Sequence, residues 1–251
     1  MAVLVTRPDI QGLQLCQQLT EVGISALHHP LLSITPVDNI NKLVTNLDTF
    51  DIIIAVSQHA ATLSHIALLE NQQEWPTHPT YIAVGQKTAQ ILSKQTQQIV
   101  HYPEVADSEH LLALEELLSV EHKRILILRG DGGRELIYDS LTARKAQVEY
   151  REVYRRDYIS FQAQASIEKW QQSNINALII TSSGQLHFFL SQVDRTSKNW
   201  LFELALFVPS ERIAAEAQQL GFNKVINTGS ASNSALVTAL QLKNRTLSND
   251  K

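Results

Sequence analysis

The chain has little cysteine, no excess of positive charge and no long apolar run, and each absence excludes a class of protein. Its single cysteine, Cys16, cannot form an internal disulfide and lies among leucines, so we predict a buried thiol that needs no oxidising compartment. The net charge of −4 argues against nucleic-acid binding, because nucleic-acid-binding proteins are usually basic. No apolar run approaches the ~18 residues of a membrane span, and the N-terminus lacks a signal-peptide pattern, so we expect a cytoplasmic protein without membrane association.

Several catalytic and cofactor-binding motifs are also absent. The nine histidines show neither HExxH nor HxH spacing, so we predict no metal site. The GxSxG nucleophile elbow is missing, which argues against a Ser-His-Asp triad. The glycine-rich stretch after residue 129 fails the GxGxxG dinucleotide pattern, since Glu135 stands where the third glycine would be, and the GK[ST] of a P-loop is absent.

The sequence contains the same pattern twice. Three blocks return in the same order at separations of 122 to 125 residues: VLVTR at 3–7 as ILILR at 125–129, IIIAVS at 52–57 as ALIITS at 177–182, and YIAVGQ at 81–86 as ALFVPS at 205–210. A period of this length indicates a duplicated domain rather than a solenoid unit. A duplicated α/β half usually places its ligand between the two copies.

Short apolar runs alternate with segments of helical periodicity along the whole chain. The predicted strands are 2–6, 24–28, 51–56, 80–84, 98–102, 124–128, 147–151, 176–181, 204–208 and 224–227. The predicted helices are 9–22, 58–70, 86–95, 107–119, 133–145, 183–192, 211–220 and 232–242. This alternation predicts an α/β fold of two doubly wound parallel-sheet domains.

Two extended segments interrupt the alternation, at 30–38 and 151–160, and both follow the second strand of a copy. We expect them to be linkers that pair as a two-stranded ladder, so that the chain leaves one domain, builds the other and returns. The predicted domains are 1–33 with 160–251 and 38–152, joined by linkers 34–37 and 153–159. The polar residues 243–251 are expected to be frayed.

Candidate binding residues follow the apolar runs, because ligands of parallel α/β sheets bind beyond the carboxyl ends of the strands. They are small, hydroxylated, amide-bearing or basic, and each precedes a predicted helix whose free N–H groups favour an anion. Helix capping by the hydroxyls is the alternative at each position. The candidates are Thr6, Arg7, Ser57, Gln58, Gly85, Arg129, Gly130, Thr181, Ser182, Ser183 and Ser210.

The stretch RGDGGRE at 129–135 is the sharpest local signal. Gly132 and Gly133 would let the backbone approach a ligand, and Arg129 and Arg134 would act as forks for carboxylates without being needed for stability. The alternative is a tight strand-to-helix turn with Glu135 as a cap. Tyr154 lies at the predicted crossover, where it could reach a ligand or pack within the linker ladder. Nearby arginines alternate with acidic residues, which predicts a solvated face; they are Arg151, Arg155 and Arg156.

Taken together, these stretches resemble the uroporphyrinogen-III synthase family of bacteria. The matching segments are LVTRP at 4–8, AVSQHA at 55–60, AVGQKTA at 83–89, ILRGDGGRELI at 127–137, VEYREVYRRD at 148–157, ITSSG at 180–184 and PSERIAAEAQQLGF at 209–222. The resemblance implies two flavodoxin-like domains joined by a two-stranded linker. It also implies closure of hydroxymethylbilane, a linear tetrapyrrole with eight carboxylates, to uroporphyrinogen III with inversion of ring D and loss of water.

The resemblance further implies that neither a metal nor an organic cofactor is used. It suggests Tyr154 as a proton donor, and Ser57, Thr181 and Ser182 as donors to substrate carboxylates. Asn233 departs from the family pattern, so no role is assigned to it. We expect a monomer that contacts hydroxymethylbilane synthase at most transiently. The alternatives are a two-domain sensor that binds an anion without catalysis, and a transferase with a nucleotide between its halves.

Tyr154→Phe is expected to lower turnover with little change in folding, because a positioned proton donor contributes about 10²- to 10⁴-fold to a rate. The rate of type III product formation and the thermal midpoint would be measured together. An unchanged rate would contradict the role of Tyr154 as an acid.

Overall fold

The strands of this chain form two separate parallel sheets in a computed structural model that describes residues 1–133, 135–194 and 197–249. The described strands are β1 (Ala2–Val5), β2 (Ser25–His28), β3 (Leu32–Pro36), β4 (Ile52–Ala55), β5 (Thr80–Ala83), β6 (Val100–His101), β7 (Arg124–Gly130), β8 (Gln147–Tyr158), β9 (Ala177–Ile179), β10 (Ala205–Val208) and β11 (Lys224–Asn227).

Helices connect these strands. In chain order they are α1 (Asp9–Glu21), α2 (Ile40–Leu43), α3 (Gln58–Glu70), α4 (Gln86–Thr96), α5 (Ser108–Leu111), α6 (Glu115–Leu118), α7 (Leu136–Ala143), α8 (Ala163–Gln172), α9 (Ser183–Gln192), α10 (Lys198–Phe202), α11 (Glu211–Gln219) and α12 (Asn233–Asn249). A 3-10 turn covers Leu47–Thr49. No helix within the described ranges is both long enough and apolar enough to cross a membrane.

The chain divides into two compact units. The first contains Met1–Ser33 and Asp157–Lys251, and the second contains Ile34–Arg156. Residues 153–156, predicted to be part of a linker, lie in the second unit as part of β8.

The sheet of the first unit has the order β2-β1-β9-β10-β11, with every pair parallel. This is the flavodoxin order 2-1-3-4-5. The second sheet has the order β3-β8-β7-β4-β5-β6, and β8 through β6 are parallel. When strands are matched by the sequence repeat, β8-β7-β4-β5-β6 is the same order as β2-β1-β9-β10-β11. The predicted α/β fold with an internal duplication is thus confirmed.

Both sheets are covered by helices on two faces, and the strand residues alternate between the two layers. In the first unit Leu4 and Leu206 pack into one cluster, whereas Val3 and Phe207 pack into the other. The second unit repeats the arrangement through consecutive residues of β4. Burial on both faces explains why these strands are continuous apolar runs rather than alternating ones.

The two extended segments pair with each other. β3 lies beside β8 at the edge of the second sheet. The amide of Val37 donates to the carbonyl of Val153 at 3.4 Å, and the amide of Ile159 donates to the carbonyl of Leu31 at 3.0 Å. Partner numbers fall on one strand as they rise on the other, so the pairing is antiparallel.

Several elements differ from the sequence prediction. The predicted helix 107–119 is two short helices, α5 and α6, and the predicted helix 133–145 begins only at Leu136. Helices α2, α8 and α10 were missed. Residues 243–249, expected to be frayed, continue α12, and the terminal amine of Met1 donates to the side chain of Asn244 at 3.4 Å.

One buried histidine gives the first unit a dependence on pH. The ring of His29 lies 4.9 Å from the rings of both Phe161 and Trp170, and its Nε2 is buried with no hydrogen-bond partner among the described residues. Burial lowers the pKa of His29, and the nearby charges of His28 and Lys169 lower it further. The folded protein therefore keeps His29 neutral at a pH where the unfolded chain is already protonated.

We expect the thermal midpoint to fall as pH drops below about 6.5, the ordinary histidine pKa, because the unfolded state then binds a proton that the folded state does not. At higher pH, His29 is neutral in both the folded and the unfolded state, so its contribution to stability no longer changes with pH. His29→Gln removes this titration and should flatten the slope of midpoint against pH, whatever its effect on the midpoint itself. His78→Gln, at an exposed histidine, is the matched control and should keep the wild-type slope. Equal slopes in both variants would contradict the assignment.

Candidate active site at the strand ends

The second unit has a pocket of about 260 Å³ at the carboxyl edge of its sheet. Turns that follow β4, β5 and β7 contribute to it, together with side chains of β8, as expected for a parallel α/β sheet. We call it the tyrosine pocket. Its lining residues are Val56, Ser57, Val84, Ser108, Ile127, Arg129, Gly130, Gly132, Gly133, Ile137, Tyr150, Tyr154 and Arg156.

The position of the Tyr154 ring depends on Gly130. β7 and β8 shift register between Arg129 and Gly130, so that Gly130 rather than the next residue pairs with Tyr154. A Cβ on Gly130 would overlap the Cε2 and Cζ atoms of the tyrosine ring, so only glycine permits this approach. The amide of Asp131 donates to the carbonyl of Tyr154 at 2.9 Å, and the residue is only 3% exposed. The ring therefore has a fixed position in the pocket.

The hydroxyl of Tyr154 has two described partners. Ser57 Oγ donates to it at 3.1 Å, and Arg156 Nη2 donates to it at 3.2 Å. Ser57 is the N-cap of α3, and its Oγ accepts the amide hydrogen of Ala60 at 3.0 Å. Ser57 therefore caps the helix, which was the alternative role considered from the sequence, while its hydroxyl also contacts Tyr154.

Arg129 lines the pocket but is already paired. Its side chain is 5% exposed, and its Nη1 lies 3.1 Å from Oε1 of Glu135. The guanidinium also stacks on Tyr150, with 4.3 Å from its central carbon to the ring centre, and Nε donates to the carbonyl of Gly130 at 3.3 Å. Arg129 is thus a structural residue as well as a candidate donor, and its removal is expected to lower stability, contrary to the expectation from the sequence.

The glycine-rich turn has the backbone conformation that its sequence suggested. Gly132 and Gly133 have φ of 64° and 133°, in the region that favours glycine. The amide of Gly132 donates to Oε1 of Glu152 at 3.3 Å. Arg134, predicted as a second carboxylate fork, lies outside the described residues. Burial, followed by the neighbouring Glu135, raises the pKa of Tyr150 to about 12, so this phenol stays protonated at neutral pH.

Two further predicted residues of the second unit lie at helix starts. Gly85 is the N-cap of α4 in extended conformation, and a Cβ there would approach Cβ of Ala106 to 2.7 Å. Gln58 is the first residue of α3, next to the pocket residue Ser57. The free amides of both helix starts face the carboxyl edge of the sheet.

The first unit has its own set of hydroxyls at the equivalent edge. Ser182 is the N-cap of α9 and accepts from the amide of Gln185 at 3.2 Å, while the hydroxyl of Thr181 donates to Oε1 of Gln185 at 2.9 Å. Ser183 Oγ accepts from Arg212 at 2.9 Å. Ser210 precedes α11 without a capping bond from its hydroxyl. This edge is therefore rich in donors, although most of the hydroxyls also stabilise the fold.

Thr6 and Arg7 have internal partners. Thr6 is fully buried, and its hydroxyl donates to the carbonyl of Ile179 at 2.6 Å. Arg7 donates to the carbonyl of Ala231, to Oδ1 of Asn233 at 2.6 Å and to Gln11 at 2.8 Å. These contacts bind the starts of α1 and α12 together, which also gives Asn233 the structural role that the sequence did not assign.

The prediction of a solvated basic face is wrong for Arg151 alone, since Arg155 and Arg156 keep 46% and 40% of their side chains exposed. Arg156 lines the tyrosine pocket and contacts the Tyr154 hydroxyl. Arg151 is 12% exposed, stacks on Phe50 and donates to two backbone carbonyls. The period of two in β8 could have revealed Arg156, because residues two apart on a strand share a face.

The structure therefore defines a doubly wound α/β protein with two units, each with a donor-rich carboxyl edge, and with a buried tyrosine held in a pocket of the second unit. The family model described as uroporphyrinogen-III synthase HemD matches residues 14–238. The chain belongs to the uroporphyrinogen-III synthase family.

Individual relatives agree with this assignment. The uroporphyrinogen-III synthase of Escherichia coli is 37% identical over 246 residues, which cover 96% of this chain and all of the relative. That of Salmonella typhimurium is 35% identical over the same shares. A crystal structure of a mutant uroporphyrinogen III synthase from the extremely thermophilic bacterium Thermus thermophilus has the same fold, with a TM-score of 0.61 at 15% identity over 99% of both chains.

Gly130→Ala is expected to displace the Tyr154 ring, since the added Cβ overlaps it. We expect a loss of stability of about 1–3 kcal/mol, typical of overpacking, together with a fall in turnover. Gly23→Ala is the control: Gly23 has φ of 76° with open space around it, so the variant should lose about 1 kcal/mol and keep its turnover. Denaturant unfolding and rate measurements on both variants would test this. Normal turnover in Gly130→Ala would show that the space left by Gly130 is not needed for catalysis.

Proposed function

We propose that this protein converts hydroxymethylbilane to uroporphyrinogen III, with inversion of ring D and loss of water. Membership of the family over nearly the full chain supports the reaction. The observation that carries the chemical assignment is Tyr154, whose hydroxyl lies in a pocket at the strand ends with two donors directed at its oxygen.

Orientation is the main task of such an enzyme. The bilane can lose its hydroxyl and close without help, but it then gives the symmetric type I isomer. The enzyme must hold the linear tetrapyrrole so that attack occurs at the substituted carbon of ring D. This is catalysis by positioning, and it needs many weak hydrogen-bond donors rather than one strong base. Helix starts that carry small and hydroxylated residues supply such donors for the eight carboxylates.

The proposed donors are drawn from the residues at the strand ends. Thr6 and Arg7 are left out because the Thr6 hydroxyl and both terminal nitrogens of Arg7 already have partners inside the first unit. The proposed set is Ser57, Gln58, Gly85, Arg129, Gly130, Gly132, Gly133, Arg134, Thr181, Ser182, Ser183 and Ser210. Tyr154 is the proposed acid, which protonates the departing hydroxyl.

We also propose that the protein works as a monomer in the cytoplasm and receives its unstable substrate by transient contact with hydroxymethylbilane synthase. Cys16 supports this location: it is an unpaired thiol, and burial raises its pKa to about 11, so it is poorly reactive at neutral pH.

A coupled assay tests the reaction. Hydroxymethylbilane would be generated by its own synthase in the presence of this protein, and the oxidised uroporphyrin isomers would be separated by chromatography. We expect predominantly type III product. Type I alone, formed at the uncatalysed rate by folded protein, would reject the synthase function and favour a sensor that binds an anion without catalysis.

A further inference from the structure

The hydrogen bonds around Tyr154 have a fixed direction. A tyrosine hydroxyl offers one hydrogen and accepts at its oxygen lone pairs. An arginine side chain has no acceptor atom, so in its 3.2 Å contact with the Tyr154 oxygen Arg156 can only donate. Ser57 supplies the second donor, at 3.1 Å. Both described contacts therefore deliver hydrogens to the phenol oxygen and leave its own hydrogen uncommitted.

The start of α3 favours the donor role of Ser57. Its oxygen accepts the amide hydrogen of Ala60 at 3.0 Å, as an N-cap does. The hydroxyl hydrogen is then directed at Tyr154. A donor chain results, from the amide of Ala60 through Ser57 to Tyr154, and each bond in such a chain polarises the next.

Arg156 is held in place by Asp131. Its Nη1 donates to the Asp131 carbonyl at 2.6 Å and to the carboxylate at 3.2 Å, and its own amide donates to the same carboxylate at 3.1 Å. The guanidinium also lies over the tyrosine ring, with 5.3 Å from its central carbon to the ring centre. Asp131 directly follows Gly130, whose lack of a side chain leaves room for the Tyr154 ring. The same turn therefore positions both Tyr154 and Arg156.

We propose that Arg156 and Ser57 are positioning residues that make the Tyr154 hydroxyl a one-way proton donor and then stabilise the phenolate. This inference rests on the proposed function and extends it. It adds Arg156 to the site and assigns the hydroxyl hydrogen of Ser57 to Tyr154 rather than to a substrate carboxylate, so that both residues act on the reaction through Tyr154.

Loss of water from the substrate begins with proton transfer from Tyr154, and each proton and electron pair has a defined destination. The Tyr154 hydrogen passes to the departing hydroxyl, the carbon–oxygen bond breaks, and water leaves while the pyrrole nitrogen lone pair forms the new double bond of the azafulvenium. The phenolate left behind accepts hydrogen bonds from Ser57 and Arg156, which are stronger to an anion than to a neutral phenol. Ring closure later releases a proton from the ring D carbon, and the phenolate takes it back.

A double-mutant cycle separates this role from direct substrate binding. Arg156→Gln and Ser57→Ala would be made in the wild-type protein and in Tyr154→Phe, and kcat and KM for type III formation would be measured. Residual type III formation in Tyr154→Phe is measurable because uncatalysed closure gives type I. We expect each single variant to lower kcat by about 10- to 100-fold with little change in KM, and to have less than a twofold further effect without the phenol.

Arg155→Gln is the matched control. It removes the same charge from the neighbouring position of β8, where Nη1 of Arg155 lies 3.7 Å from Oδ2 of Asp38. This variant should leave kcat and KM unchanged. Arg156→Lys keeps a cationic donor without the planar fork, so it should recover part of kcat when Tyr154 is present and nothing when it is absent. It also keeps the test valid if Arg156→Gln does not fold, which circular dichroism would show.

The same loss of kcat in the Tyr154→Phe background, or a change confined to KM, would overturn the proposal and show that these side chains act on the substrate directly. Failure of the wild-type protein to form type III product would instead reject the proposed function itself.

Discussion

Parallel strands end at one edge of a sheet, and the chemistry of this protein depends on that constraint. In each unit the buried strands stop at short turns that begin helices, so unpaired amides and capping hydroxyls collect along the same edge. The strands must bury residues on both faces, which leaves their ends as the only positions where polar groups can be concentrated. A substrate with eight carboxylates suits such an edge, because many moderate donors orient a flexible anion without any strong base.

Within that edge the position of Tyr154 depends on a missing side chain. Gly130 leaves room for the ring, and the register shift beside it brings the ring against the backbone. Asp131 then anchors Arg156 over the same ring. One turn thus positions the phenol, the guanidinium beside it and part of the pocket wall, and it makes the exposed Arg156 part of the site.

The linkers show how the duplication is arranged in the fold. Each sheet combines the first two strands of one repeat with the last three of the other, because the chain crosses at β3 and returns through β8. β8 is continuous from Gln147 to Tyr158, which carries Tyr154 on a strand rather than on a loop. A strand holds a side chain more rigidly than a loop, and this favours a reaction controlled by orientation.

The sequence by itself determined the duplicated α/β fold, the family and most strand-end candidates, since buried strands leave unambiguous apolar runs and turn residues follow them. It placed Ser57 and the glycine-rich turn at the edge of the sheet, but it put Tyr154 in a linker rather than in β8 and could not separate free donors from groups that already have partners. Thr6 and Arg7 look like binding residues until their partners at Ile179 and Asn233 are seen, 173 and 226 residues away. Short helices such as α2 and α10 and the role of Arg156 depended on tertiary contacts, because local periodicity does not encode which distant group meets a side chain.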